Sequence, residues 1–104
     1  ILNFKTMCTI KVSDIMSRTR DYRKAGEELY CIMIDKRNHG ESVKLDMSGV
    51  EAIPSLMLNP CVGRYIDEYG LEELRANLSF GNILKSQAER FKEYIQHYKP
   101  LKTI

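Results

Sequence analysis

The sequence predicts a single α/β domain in which helices pack against a mixed, mostly parallel sheet, in the order strand, helix, strand, helix, strand, helix. Three short segments show the two-residue alternation of strands, and three longer segments show the three- and four-residue spacing of amphipathic helices. The length of 104 residues suits one domain over 1–104, with a core over about 7–98 and a tail over 99–104.

The first half of the chain contains two predicted strands around one long helix. Residues 7–12 alternate like a half-buried strand, which residues 1–5 either extend or pair beside. Residues 20–38 carry an apolar stripe along one helical face, and Asn38, His39 and Gly40 tolerate a left-handed C-terminal cap. Residues 42–47 form the second predicted strand.

The next helix has two competing onsets. Pro54 disfavours helix at Ile53, so the helix must begin later. With Ser55 as the N-cap, Pro60 lies inside the helix and bends or loosens its first turns. With Asn59 as the N-cap, Pro60 takes the first helical position, where its missing N–H is harmless. Both onsets give one apolar stripe that ends at Gly70 and consists of Val62, Tyr65, Ile66 and Tyr69.

The last third of the chain is predicted as helix, strand and helix. Residues 71–77 form a short helix, and residues 78–83 form the third strand, in which Gly81 indicates a bulge or a close backbone approach. The final helix begins with a capping box between Ser86 and Glu89 and ends at Pro100. Its apolar face consists of Ala88, Phe91, Ile95 and Tyr98.

Charge and cysteine content indicate an ordinary cytoplasmic protein. The formal net charge is +2 with interleaved signs, which does not predict general nucleic-acid affinity. Cys8, Cys31 and Cys61 are odd in number and lie in apolar segments, as expected for reduced thiols in a core. No apolar run approaches the roughly 20 residues that span a bilayer, and no leader precedes the first strand, so we expect no membrane partner.

No set of residues combines a nucleophile with its base. The glycine-rich phosphate-binding motifs and the nucleophile-elbow motif are missing from the sequence. His39 and His97 have no metal-ligand-spaced partners, and Glu72 and Glu73 point to different faces of a short helix. We therefore expect no catalytic residues, no metal site and no cofactor, and the chain is not expected to be an enzyme.

Ser55 and Asp46 each have two interpretations. As a helix cap, Ser55 would contribute about 1 kcal/mol. As a phosphorylation site, it would place about −1.5 to −2 charges beside the positive end of a helix. Asp46 ends the second strand, where open α/β sheets often place ligand-binding groups. The same carboxylate can instead accept the amides of Gly49 or Val50 in a turn.

Four cations gather where the first long helix is predicted to begin, which is the unfavourable end for the helix dipole; they are Arg18, Arg20, Arg23 and Lys24. Either nearby carboxylates offset them, or they bind an anionic partner. The available carboxylates are Asp14, Asp21, Glu27 and Glu28. The alternative function is therefore an anion- or nucleotide-binding domain that uses helix N-termini and this basic cluster.

The segment around the second strand resembles the signature of STAS domains, named for sulphate transporters and anti-sigma-factor antagonists. The matching residues are Leu45-Asp46, Gly49-Val50, Ile53 and Ser55. Ser55-Leu56 and Asn82-Ile83 are also similar to the pattern of a bacterial STAS-like family of unknown function. The resemblance covers most of residues 7–84 and implies a STAS-like fold.

The resemblance implies a non-catalytic regulatory module that docks a protein partner, such as a kinase-like ATPase regulator, through the start of the second long helix. The implied docking residues are Ser55, Met57, Leu58 and Asn59. We expect Leu56, Met57 and Leu58 to form an exposed apolar run, because three consecutive apolar residues at a helix entrance cannot all face inward. Antagonists carry Asp-Ser at their phosphorylated site, whereas this chain has Pro54-Ser55. A homodimer formed through an edge strand is a further expectation.

Overall fold

The computed structural model describes residues 6–99, so the predicted pairing of residues 1–5 and the tail beyond Lys99 lie outside the described residues. The strands are β1 (Met7–Lys11), β2 (Ser42–Asp46) and β3 (Leu78–Gly81). The helices are α1 (Val12–Arg18), α2 (Tyr22–Asn38), α3 (Ser55–Leu58), α4 (Arg64–Tyr69), α5 (Leu71–Asn77) and α6 (Lys85–His97), with a π-helical turn over Asn59–Gly63 between α3 and α4. The predicted α/β class is confirmed.

The sheet is parallel across its three described strands, in the order β1-β2-β3. The register aligns Ile10 with Leu45 and Leu45 with Phe80, so these side chains share one face. That face packs into the hydrophobic core with the helices, and Leu45 is only 1% exposed. The expected self-association through an edge strand stays a prediction.

Helix α1 was not predicted, because its seven residues fall between the first strand and the strong helical pattern that follows. Val12, predicted as the end of the strand, is instead the first residue of the helix. Val12 and Ile15 are three residues apart and both fully buried, so one face of this short helix is anchored in the core. Tertiary packing, more than helix propensity, accounts for its formation.

Helix α2 begins at Tyr22, two residues later than the predicted start at residue 20. The Asp21 carboxylate caps it by accepting the backbone N–H groups of Arg23 and Lys24 at 3.0 and 3.3 Å. Its buried face meets α3 closely at Gly26, where a Cβ atom would lie 2.3 Å from the Met57 carbonyl oxygen. Glycine is required there because any side chain would collide with that backbone.

The second helical segment begins at Ser55, the earlier of the two predicted onsets, with Pro54 in the N-cap position. Pro60 therefore lies inside it, and Asn59–Gly63 is π-helical. Pro60 has no N–H to donate to the Leu56 carbonyl one turn earlier, so the regular hydrogen-bond ladder is interrupted. This confirms the expectation that Pro60 would loosen the first turns.

The predicted capping box of Ser86 and Glu89 is wrong, because α6 begins at Lys85 and its first turn is organised by Gln87. The Gln87 Oε1 atom accepts the Leu84 backbone N–H at 2.9 Å. The Gln87 Nε2 atom donates to the carbonyl oxygens of Val50 and Glu51 at 2.5 and 2.8 Å. One buried side chain thus both caps α6 and ties it to the segment after β2.

The three cysteines do not share one environment, contrary to the expectation that all are core residues. Cys61 is buried, Cys8 is partly buried and Cys31 is exposed on α2. Burial raises the pKa of the Cys61 thiol to about 12, which keeps it protonated and unreactive at neutral pH. Within residues 6–99, no helix has the length and apolar character needed to cross a membrane.

Candidate functional site

An open groove of about 720 Å³ lies between α6 and residues 47–59; we call it the α6 groove. Its lining is mainly apolar and includes Met47, Ile53, Leu58, Phe80, Ile83 and Phe91. Its polar and charged residues include Ser55, Asn59, Arg90, Glu93, His97 and Lys99. A concave, largely apolar surface with a few polar groups is the usual form of a binding site.

Both ends of α6 are anchored, which keeps the groove open between them. At the start of the helix, Gln87 holds the carbonyl groups of residues 50 and 51. At its end, the Tyr94 hydroxyl donates to Asn59 Oδ1 at 2.6 Å, and the Tyr98 hydroxyl donates to Asp67 Oδ2 at 2.9 Å. Burial raises the pKa of Tyr94 and raises that of Tyr98 to about 12, so both hydroxyls remain donors at neutral pH.

Gly63 in the π-helical turn allows this close approach of α6. A Cβ atom at Gly63 would lie 2.9 Å from Tyr98 Cε1 and 3.0 Å from the Tyr94 hydroxyl. The aromatic rings therefore rest directly on the backbone of the π-helical turn. The wall of the groove depends on the missing side chain at this position.

Ser55 lies at the groove as the first residue of α3 and is exposed. It does not cap the helix, because Pro54 occupies the N-cap position and no side-chain cap hydrogen bond is present there. Its hydroxyl makes no side-chain hydrogen bond with residues 6–99 and is open to solvent. The cap interpretation of Ser55 is therefore wrong.

The predicted exposure of Met57 and Leu58 is also wrong. Met57 is 0% exposed and lies against Gly26 of α2, whereas Leu58 is 6% exposed and lines the groove. Leu56 is the exposed member of the apolar run, at 60%. Two of the three consecutive residues face inward because both belong to the hydrophobic core and α2 packs closely against this turn. Asn59 is exposed and accepts the Tyr94 hydroxyl.

Asp46 serves as a turn acceptor that also joins two strands. Its Oδ1 atom accepts the Ser48 backbone N–H at 3.0 Å, the Ser48 hydroxyl at 2.8 Å and the Asn82 amide at 2.9 Å. The predicted donors were Gly49 and Val50, so the role was right and the donors were wrong. The hydrogen bonds from Asn82 and Ser48 lower the pKa of Asp46 to about 2.

Two of the four cations of the basic cluster are paired with carboxylates of the chain. Arg18 lies in the last turn of α1, not at the start of α2, and pairs with Glu28. Arg23 lies 3.6 Å from Glu27. The Asp21 carboxylate already occupies the N-terminus of α2. Arg20 and Lys24 form no ion pair with residues 6–99, so this surface offers an anion only those two cations.

Several groove residues were not predicted as site residues, among them Arg90, Glu93, His97 and Lys99. No local pattern marks them, because the groove exists only once α6 lies beside residues 47–59. The sequence feature nearest to them that could have drawn attention is the apolar residue Leu84 directly before α6. In the structure its side chain is 62% exposed. Within the described residues, no group of three or more histidines, cysteines and acidic residues is placed to hold a metal ion.

Comparison with known proteins identifies the family of this fold. A family model described as a STAS-like domain of unknown function (DUF4325) matches residues 25–88. This range begins in α2 and ends in α6, and it includes the entrance to α3. Neither the comparison with curated proteins nor the comparison with solved structures produced a match. The chain belongs to the family of STAS-like domains of unknown function.

Proposed function

We propose that this chain is a non-catalytic regulatory module that binds a protein partner through the α3 entrance, formed by Ser55, Leu56 and Asn59. The observation that carries the proposal is the 60% exposure of Leu56, which directly follows the groove residue Ser55 in the sequence. A second exposed leucine, Leu84, is adjacent in sequence to the groove residue Ile83 and is 62% exposed. Exposed apolar side chains with a polar surround are typical of protein interaction sites.

Burial of the Leu56 side chain in a complex would contribute enough binding free energy to make this residue a docking anchor. Moving a leucine side chain fully out of water contributes about 1.5–3 kcal/mol. Truncation to alanine removes most of that contribution from a complex and little from the free fold, because the side chain is already exposed. Leu56→Ala is therefore expected to weaken partner binding by about tenfold or more.

The test is capture of partners by the tagged chain from a lysate of its source cells. Met7→Ala is the matched control, because Met7 is 55% exposed and lies on β1, away from the α6 groove. We expect wild type and Met7→Ala to capture the same proteins and Leu56→Ala to lose at least one of them. Equal capture by all three, with unchanged circular dichroism and melting temperature, would contradict the proposal.

Phosphorylation of Ser55 is the regulatory step that we propose for this surface. The exposed hydroxyl is accessible, and a phosphate would add about −1.5 to −2 charges next to the apolar anchor Leu56. The charge would have to be desolvated in a complex, which favours dissociation. A kinase-like ATPase regulator is the partner class that the resemblance to anti-sigma-factor antagonists suggests.

Mass spectrometry of the chain purified from its source cells tests this step. We expect a phosphate on Ser55 in the unbound fraction and unmodified Ser55 in the partner-bound fraction. Unphosphorylated Ser55 in both fractions would contradict the regulatory step. It would mean that the docking is constitutive. The alternative function of anion or nucleotide binding has weaker support, because Arg18 and Arg23 are paired with carboxylates of the chain.

A further inference from the structure

The shape of the α6 groove indicates an elongated occupant. The groove is lined by one face of α6 and by residues directly before and after this helix. These residues include Ile83, Gln87, Phe91, Tyr94 and Tyr98. This spacing of three to four residues follows one side of the helix over its whole length. A helix of 13 residues is about 20 Å long, so the groove offers a track for several turns of a peptide.

The interior of the groove favours an apolar contact. Ile53, Phe80, Ile83 and Phe91 line it and remain partly exposed. The buried polar side chain in the lining is Gln87, and its amide is already used by residues 50, 51 and 84. A compact polar ligand would need free, convergent polar groups to orient it. The chemistry instead suits the apolar face of an amphipathic segment.

Cations that form no ion pair within residues 6–99 lie beside this apolar track. Arg90 and Lys99 line the groove and are exposed, and neither forms an ion pair with residues 6–99. The arginines at 18, 23, 37, 64 and 75 all have carboxylate partners. The acidic residue of the lining is Glu93, so the cations outnumber it even with His97 neutral. Complementary charge on a partner would be negative.

We infer that the α6 groove binds an acidic amphipathic segment of a partner protein, with apolar residues facing Phe80 and Phe91 and carboxylates facing Arg90 and Lys99. This inference rests on the proposed docking function and names the chemistry of its partner. The segment is long enough to lie along α6.

The test begins with selection of binders from a phage-displayed library of random 16-residue peptides against the full chain. Enriched peptides are synthesised and titrated by fluorescence anisotropy against two double variants. Arg90→Glu with Lys99→Glu reverses the charge along the groove. Lys85→Glu with Lys92→Glu is the matched control, because these lysines are exposed on α6 but do not line the groove. Both variants change the net charge equally.

We expect enriched peptides with apolar residues at helical spacing and an excess of Asp and Glu. Their affinity should fall by about tenfold or more in the groove variant and by less than about twofold in the control. Equal losses in both variants would mean general charge attraction and would overturn the inference. Failure to enrich peptides, with dodecanoate binding to the groove instead, would indicate a small-molecule site and would also overturn it.

Two further outcomes separate this inference from the proposed function. Concentration-dependent dimerisation in sedimentation experiments, abolished by the groove variant, would mean that a second copy of the chain covers the groove and would overturn the inference. Lysate capture that is lost in Leu56→Ala but unchanged in the Arg90→Glu, Lys99→Glu variant would leave the docking function standing and refute the acidic segment. Loss of capture in both the Leu56→Ala variant and the Arg90→Glu, Lys99→Glu variant would support the docking function and the acidic segment alike.

Discussion

Single side chains in this fold connect secondary-structure elements through hydrogen bonds, and Asp46 is the clearest case. Its carboxylate accepts three hydrogen bonds that connect the end of β2 to Ser48 and Asn82. Asn82 adopts a positive φ of 51°, a conformation that asparagine tolerates better than most residues. A strand-end aspartate is a weak sequence signal, and here the geometry assigns it a structural role.

The lowered pKa of Asp46 predicts a pH-dependent contribution to stability. Its folded pKa of about 2 lies below the ordinary value of 3.8, so the contribution is fully present above that value and lost as pH falls through about 2. Asp46→Asn should therefore lower the free energy of unfolding at pH 7 and have little effect near pH 2, measured by urea titration. Glu89→Gln, an exposed change on α6, is the control. An equal loss at both pH values would contradict this role.

Whether the exposure of a residue could be predicted depended on how many surfaces bury the helix that carries it. The inward positions of Met57 and Leu58 could not be derived from the sequence, because they follow from the packing of α3 into the hydrophobic core beside α2. The exposure of Ser55 and Asn59 was compatible with the local pattern. Only the position of Pro54 in the N-cap separates Ser55 from the capping role that its side chain suggests.

At the scale of elements, the contact between α2 and α3 is controlled by Gly26. An alanine there gains about 1 kcal/mol in helix propensity, but its Cβ atom would lie 2.3 Å from Met57 O and 2.5 Å from Pro60 Cγ. The elements must separate, so Gly26→Ala should lower the free energy of unfolding by about 1–3 kcal/mol.

Gly81→Ala is the matched control for this prediction. The Cβ atom at Gly81 would approach Lys44 Cε at 2.6 Å, and a flexible lysine side chain can move away at little cost. We expect Gly81→Ala to change the midpoint of urea unfolding much less than Gly26→Ala does. Equal midpoints for Gly26→Ala and wild type would show that α2 and α3 are not in close contact.

The predictability of the elements followed their length and periodicity. The long helix α2 and the three strands were predicted because their patterns are regular over many positions. The seven-residue α1 was missed, and the N-cap of α6 was assigned to Ser86 instead of Leu84, because burial of Ile15 and of the Gln87 amide is a property of the assembled fold. Local patterns do not contain that information.

At the scale of the whole molecule, the α/β architecture of the STAS-like family brings the α3 entrance and α6 to the two sides of one groove. Neither segment forms a site by itself. The groove combines an apolar track with cations that form no ion pair with residues 6–99, and the exposed leucines Leu56 and Leu84 are sequence neighbours of its lining residues. This combination is the basis of the proposed docking function.

The dissociation constant of the captured partner is the measurement that tests the docking function most directly. It should be determined by titration with purified partner for wild type, Leu56→Ala and Met7→Ala. The docking function predicts binding about tenfold or more weaker for Leu56→Ala and unchanged for Met7→Ala. The same dissociation constant for all three proteins, each with an unchanged melting temperature, would contradict it.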